Sequence, residues 1–164
     1  MRLFLARHGQ SSPGDIDPQK GLTKNGEKEI IKLAESIKHL DISVDEIWHS
    51  GKTRAAQTAD ILAMAVKPKK GVRIQEGLKP DDSVESIAGE ITAYGTDLML
   101  VGHLPFMLKL ASLLLANDSN RCSVNFYAGS LACFEYDKGN WSLSWLINPG
   151  LVKEEESRTF QSYH

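Results

Sequence analysis

The sequence has no marked excess of charge of either sign. Lys and Arg total 19 and Asp and Glu 21, a net of −2, so nothing electrostatic favours a polyanion such as nucleic acid as partner. Any positive charge used for function must therefore be local. Cysteine is nearly missing. Cys122 and Cys133 show neither metal-ligand nor redox spacing, which excludes a disulfide framework, and their strand-like flanks suit small buried hydrophobes. Long apolar runs are also lacking. The N-terminal Met1–Ala6 stretch is apolar for only about four residues before charge interrupts it. That is too short for a secretory signal, and no stretch approaches a membrane span. The expectation is a protein without membrane association, in the cytoplasm. No repeat, linker or low-complexity segment interrupts the chain.

What is present is ordinary globular material: 164 residues, 41% apolar and 24% charged. That length and apolar share allow one buried core without staples. The expected organisation is one domain over residues 1–150 and a polar tail over 151–164, frayed from Lys153 onward. A monomer is expected.

Strand and helix signals alternate. Leu3–Ala6 is a short continuous apolar run, as in a strand covered on both faces. A loop rich in Gly, Ser, Pro and Asp (Gly9–Gly21) precedes a helix from about Thr23 to His39, with Thr23 as N-cap. Glu46–His49 reads as a second strand and Arg54–Met64 as a second helix, with Thr53 or Ser50 near its start. A short strand at Val72–Gln75 and a helix at Val84–Tyr94 follow. Asp97–Val101 contains the clearest buried strand, and Pro105 opens a helix to about Leu115. Leu131–Tyr136 and Trp141–Ile147 form a hairpin turning at Asp137–Asn140. This order predicts an α/β fold: a single three-layer αβα domain on a mostly parallel sheet with an antiparallel edge strand.

In such sheets ligands bind at the carboxyl ends of the strands. The first strand runs into Arg7-His8-Gly9 and the Leu98–Val101 strand into Gly102-His103. The strand at Ile47 and Trp48 runs into Ser50-Gly51 and a helix bearing Arg54. Two histidines and two arginines therefore converge on one rim. Neutral imidazole is a nucleophile, and guanidinium forks fit the oxygens of a phosphoryl group. Phosphoryl transfer needs charge stabilisation above all. Two guanidiniums and a second imidazole supply it; Gly9 leaves room for close approach, and the helix after Gly51 offers backbone donors to an anion. A metal site is the rival reading. Arginines beside His8 would repel a dication, and no cysteine or carboxylate cluster accompanies the histidines, so neither metal nor cofactor is expected. His39 at a helix end, His49 near the rim and the terminal His164 are read as non-catalytic. The segment Ser11–Gly21, with Asp15, Asp17 and Lys20, either folds over the rim or is ordinary surface.

The triplet Arg7-His8-Gly9 resembles the signature of the histidine phosphatase superfamily. It is joined by Ser50-Gly51-Lys52-Thr53-Arg54-Ala55-Ala56-Gln57-Thr58-Ala59, by Val101-Gly102-His103-Leu104-Pro105 and by Gly21-Leu22-Thr23-Lys24-Asn25-Gly26. All four lie in family order between Met1 and about Leu115. The short chain, the Gly77–Pro80 segment and the Trp145–Gly150 region are most similar to the small SixA-type phosphohistidine phosphatases, within a phosphoglycerate mutase-like fold. The resemblance implies His8 as nucleophile, with Arg7, Arg54 and His103, beside Gly9, as the phosphate pocket. The family's acid phosphatases and mutases add a carboxylate acid. Glu76 is the candidate here by chain order, with Asp81 and Asp82 behind it.

A positioned acid is worth ~10²–10⁴-fold for an alkoxide leaving group, whereas imidazole leaving from phosphohistidine is far less demanding. The expected activity is hydrolysis of phosphohistidine on a partner protein. The alternatives are a small-molecule phosphomonoesterase and a non-catalytic module docking phosphorylated proteins. Mutase activity calls for covering loops, for which Ser11–Gly21 is the one candidate segment, and is not expected.

Overall fold

The computed structural model describes residues 1–152. The tail expected from Lys153 onward, His164 included, lies outside the described residues. Apolar continuity builds the centre. In β1 (Arg2–Arg7) the middle four residues are buried, and they alternate between two cores: Leu3 and Leu5 face one, Phe4 and Ala6 the other. A strand apolar on both faces needs helices on both. α1 (Lys24–Ile37) and α2 (Thr53–Val66) cover one face through Ile30, Leu33, Ala59 and Leu62; α3 (Val84–Tyr94) and α4 (Phe106–Ala116) cover the other through Ile87, Ile91, Phe106 and Leu110. Each fully buried Leu, Ile or Phe contributes roughly 1.5–3 kcal/mol. The three layers agree with the α/β architecture expected.

β2 (Glu46–His49), β3 (Val72–Ile74), β4 (Leu98–Gly102), β5 (Leu131–Asp137) and β6 (Asn140–Ile147) complete a six-stranded sheet in the order β3-β2-β4-β1-β5-β6. β3, β2, β4 and β1 are parallel; β5 pairs antiparallel with β1 and β6 antiparallel with β5. The antiparallel edge is thus a whole hairpin. Its turn, Lys138-Gly139, has φ of 48° and 87°, the double positive φ that fits the right-handed twist of a hairpin.

Register decides where the loops emerge. Ala6 and His49 both lie opposite Val101, and Arg7 lies opposite Gly102. The residues that follow β1, β2 and β4 therefore leave the sheet at one height.

Some boundaries differ from the sequence reading. α1 stops at Ile37 and tightens into a 3-10 turn, Lys38–Leu40, with Asp41 in the left-handed region at φ 50°. His39 is exposed in that turn. α2 starts one residue before Arg54 and ends two beyond Met64. Cys133 is buried in β5, but Cys122 is only half-buried and lies in the α4–β5 connection instead of a strand. There the buried Ser112 hydroxyl accepts the N–H groups of Arg121 and Cys122, both at 2.9 Å, and donates to the Asp118 carbonyl. That hub curls the chain where its flanks suggested extension. Among the described residues, no helix is long and apolar enough to cross a membrane.

Candidate active site

His8 follows β1 and is pinned to β4 by its N–H, which donates to the Gly102 carbonyl at 3.0 Å. Its Nδ1 lies 2.7 Å from the Gly9 carbonyl oxygen. A carbonyl only accepts, so Nδ1 carries the proton and Nε2 the lone pair. The Arg54 Nε donates to that Nε2 at 3.3 Å. Burial, aided by the Arg54 and Arg7 charges and opposed by the Gly9 carbonyl, pushes the His8 pKa down to about 4. At neutral pH the ring is uncharged, with its lone pair toward Arg54.

His103 follows β4, and its ring centroid is 5.0 Å from that of His8. Burial, with the charges on His8, Arg54, Lys52 and Arg7, pushes its pKa down to about 3. Its Nε2 is 2.5 Å from the Ser50 hydroxyl. Its Nδ1 is buried and has no partner among the described residues.

Arg7 donates from Nη1 to the Phe126 carbonyl at 2.9 Å, and its Nε is buried with no partner among the described residues. The Gly129 N–H donates to the Arg7 and His8 carbonyls, at 3.2 and 3.0 Å. The connection ahead of β5 thus fastens the rim from the side opposite α2. Burial lowers both guanidinium pKa values, yet arginine keeps its proton in proteins. Among the described residues, no carboxylate lies within ion-pair distance of Arg7 or Arg54.

The structure thus brings His8, Arg7, Arg54 and His103 together. Gly9 takes a part other than the one expected. Its N–H donates to the Thr58 hydroxyl at 3.1 Å, and a Cβ on it would meet Ile30 at 2.9 Å and Leu22 at 3.2 Å. The room it leaves is therefore filled by α1 and its approach, and its backbone is committed to Thr58 and His8. The reason for Gly26 is of the same kind: a Cβ there would come within 2.1 Å of the Gln10 carbonyl oxygen, so only glycine lets the chain beyond the site cross α1.

Glu76 is exposed in the β3–α3 connection, and its carboxylate makes no hydrogen bond or ion pair among the described residues. Asp81 is also exposed, while Asp82 accepts the Lys79 N–H at 2.8 Å and closes a turn. His49 is buried and accepts the Gly51 N–H on Nδ1 at 3.1 Å, which shapes the turn into α2. The Ser11–Gly21 loop is fastened to α2: Thr53 donates to the Gln19 side chain at 3.3 Å, and the Leu22 N–H donates to Gln57 at 2.7 Å. A groove between α1 and β6, lined by Ile31, Leu40, Leu146 and Leu151, includes none of the four site residues.

Two hydroxyls lie at this site with parts that the sequence did not assign them: Thr58 stood there only within a motif, and Ser50 as a residue near the start of the second helix. Thr58 accepts from Gly9 and donates to the Arg54 carbonyl at 2.8 Å, and Ser50 meets His103. The spacing Arg54-x-x-x-Thr58 was the available signal, since residues four apart share a helix face. The Phe126 carbonyl had no such signal, being a backbone group far along the chain.

Chemically, the rim offers a neutral imidazole lone pair, two guanidiniums without an ion-pair partner among the described residues, a buried donor on Arg7 and a buried ring nitrogen on His103. α2 begins beside them without a side-chain cap, so its first N–H groups add to a setting made for an oxyanion. Among the described residues, no cluster of three or more His, Cys, Asp or Glu suits a metal ion.

Residues 3–80 match the model of the histidine phosphatase superfamily (branch 1). No curated protein matches significantly in sequence. Among solved structures, the protein histidine phosphatase SixA complexed with tungstate superposes with a TM-score of 0.83 at 23% identity, over 93% of this chain and 100% of that one. A phosphohistidine phosphatase SixA assigned in Agrobacterium tumefaciens gives 0.73 at 23% identity, over 90% and 97%. Phosphoserine phosphatase from Entamoeba histolytica, in complex with phosphoserine, gives 0.66 at 17% identity, over 90% and 97%. These likenesses show a common fold. Over residues 3–80 the chain is thus similar in sequence to the histidine phosphatase superfamily, and over nearly its whole length it shares the fold of these structures.

Proposed function

We propose that this chain is a phosphatase working through a phospho-His8 intermediate, and that its substrate is phosphohistidine on a partner protein. The observation that carries the phosphatase reading is the neutral His8 ring, its proton fixed on Nδ1 by Gly9, with Nε2 facing a guanidinium that no carboxylate among the described residues neutralises. When a phosphoryl group enters, its oxygens take the donors of Arg54, Arg7 and His103, and the Nε2 lone pair is released toward phosphorus. The His8 N–P bond forms as the bond from phosphorus to the partner's imidazole breaks, and the departing imidazole nitrogen takes a proton from water. Water then attacks phosphorus, the His8 N–P bond breaks, a proton leaves, and inorganic phosphate is released. Two guanidiniums and an imidazole N–H stabilise the equatorial charge throughout.

The substrate class rests on the leaving group. An alkoxide needs a positioned acid, and Glu76 has no partner orienting it toward His8. Imidazole leaves without one. The fold shared with SixA accords with this reading. No metal or cofactor takes part in the proposed sequence of steps.

The fold shared with phosphoserine phosphatase favours a second reading, a small-molecule phosphomonoesterase with Glu76 as acid. Phosphate release from a phosphohistidine carrier protein and from an aryl phosphate, measured side by side with His8→Ala as control, separates the two. Fast His8-dependent release from the protein alone supports the first. Fast ester hydrolysis that Glu76→Gln abolishes supports the second. Full activity in His8→Ala rejects both, and binding without release leaves a docking module.

A further inference from the structure

The buried Ser50 hydroxyl has a place that the phosphoryl-transfer scheme leaves unused. Ser50 follows β2, is 5% exposed, and sits between two groups. The Lys52 N–H donates to its oxygen at 3.3 Å, and His103 Nε2 lies 2.5 Å away. The first contact is a turn in which a side-chain oxygen accepts the N–H two residues on. It occupies one of the oxygen's two lone pairs, and among the described residues His103 is the one acceptor in reach of the single hydroxyl proton.

A neutral imidazole has one N–H and one lone pair. If Ser50 donates to Nε2, the ring proton is on Nδ1. That nitrogen is buried and makes no hydrogen bond among the described residues. A buried donor left unmade costs about 1–3 kcal/mol, so the arrangement holds a donor ready for an incoming oxygen. The opposite tautomer would place a lone pair on Nδ1, against the oxygens of an anion. His103 is uncharged at neutral pH, so its tautomer decides whether it attracts or repels the phosphoryl group.

We infer that Ser50 is a positioning residue: its hydroxyl fixes His103 as the Nδ1–H tautomer and so makes that ring a donor to the phosphoryl group. The same turn leads directly into α2, so one hydroxyl joins the second histidine to the helix that carries Arg54. This inference rests on the phosphatase reading for its consequence, though the tautomer itself is measured without turnover.

The experiment is nitrogen-15 NMR of the His103 ring at pH 7, with inorganic phosphate as the ligand probe, in the native chain, Ser50→Ala and Ser50→Thr. The native ring should show its proton on Nδ1, and the Nδ1–H resonance should move when phosphate is added. In Ser50→Ala the ring should become a mixture of tautomers and begin to titrate nearer the ordinary histidine range, because the donor that favoured the neutral ring is gone. Turnover should fall by at least roughly tenfold, within the ~10²–10³ that loss of a transition-state donor costs. Ser50→Thr, which keeps the hydroxyl, should restore the native tautomer and most of the rate.

A native spectrum with the proton on Nε2 overturns the inference, and needs no variant to fold. So does a Ser50→Ala protein with unchanged tautomer and unchanged turnover. Tautomer changes as described in a chain whose phosphate release proves independent of His8 would keep the assignment of Ser50 and reject the phosphatase mechanism.

Discussion

Thr58 lies one helical turn beyond Arg54, and its hydroxyl joins the two halves of the site: it donates to the Arg54 carbonyl at 2.8 Å and accepts the Gly9 N–H at 3.1 Å. Gly9 in turn receives the Nδ1–H of His8. The histidine's tautomer is thus tied to α2 through one residue, Gly9.

Thr58→Val keeps the shape and removes the acceptor, leaving the buried Gly9 N–H unpaired. Stability should drop by about 1–3 kcal/mol, read from urea unfolding. Turnover should fall roughly ten- to a hundredfold as the His8 ring loses its fixed orientation. Thr58→Ser should recover both. A Val variant as stable and active as the native chain would show that the Gly9 peptide is held by other means.

Gly26→Ala tests the crossing of the chain over α1. Its Cβ would meet backbone, not a side chain able to swing away, so Gln10 must shift and the loop after His8 with it. The expected loss is at least about 1–3 kcal/mol, the range for overpacking, with turnover falling alongside. Unchanged denaturant midpoints would contradict the close approach.

Arg54→Lys retains the charge and loses the fork. The Nε that meets His8 disappears, and a point charge replaces paired donors to a phosphoryl group. Turnover should fall by about 10² or more, with little change in folding stability because Arg54 has no carboxylate partner among the described residues. Equal rates for Lys and Arg would mean that charge alone suffices there.

Acid should weaken the fold in a defined window. His8 and His103 titrate at about 4 and about 3 when folded, against ~6.5 unfolded. Between those values the unfolded chain binds more protons, so stability rises with pH there. It should be fully present above about 6.5 and decline, by a few kcal/mol in all, as pH falls to about 4 and 3. Unfolding curves in phosphate-free buffer check this. Replacing both histidines by Gln should flatten the dependence over that range, and a native profile already flat would refute the two depressed values. The same titration predicts an acid limb in turnover, since protonated His8 has no lone pair to offer.

Much of this was legible from the chain. Leu98–Val101 reads as a buried strand because its side chains are apolar on both faces, and α3 has the expected bounds. The convergence of Arg7, His8, Arg54 and His103 was visible because each follows a strand or opens a helix at the same rim, where local pattern and global fold agree. The misses have a common physical source. Cys122 was read from its neighbours, but the Ser112 hydroxyl that curls its segment is ten residues away. Gly9 was read as space for a ligand, yet only the packed α1 reveals that Ile30 fills that space. Arg7's tether to Phe126 is a backbone contact that no side-chain pattern encodes.

The unneutralised guanidiniums have one more consequence. A chain with a net charge of −2 keeps at its rim two cations that have no counterion among the described residues. A tetrahedral oxyanion completes that local balance, so its binding stabilises the native state by mass action. The donors that recruit a phosphoryl group also retain inorganic phosphate. Under the proposed mechanism, product inhibition and its relief by salt therefore fall to the same two arginines, and phosphate added to a turnover assay at low and high salt checks both.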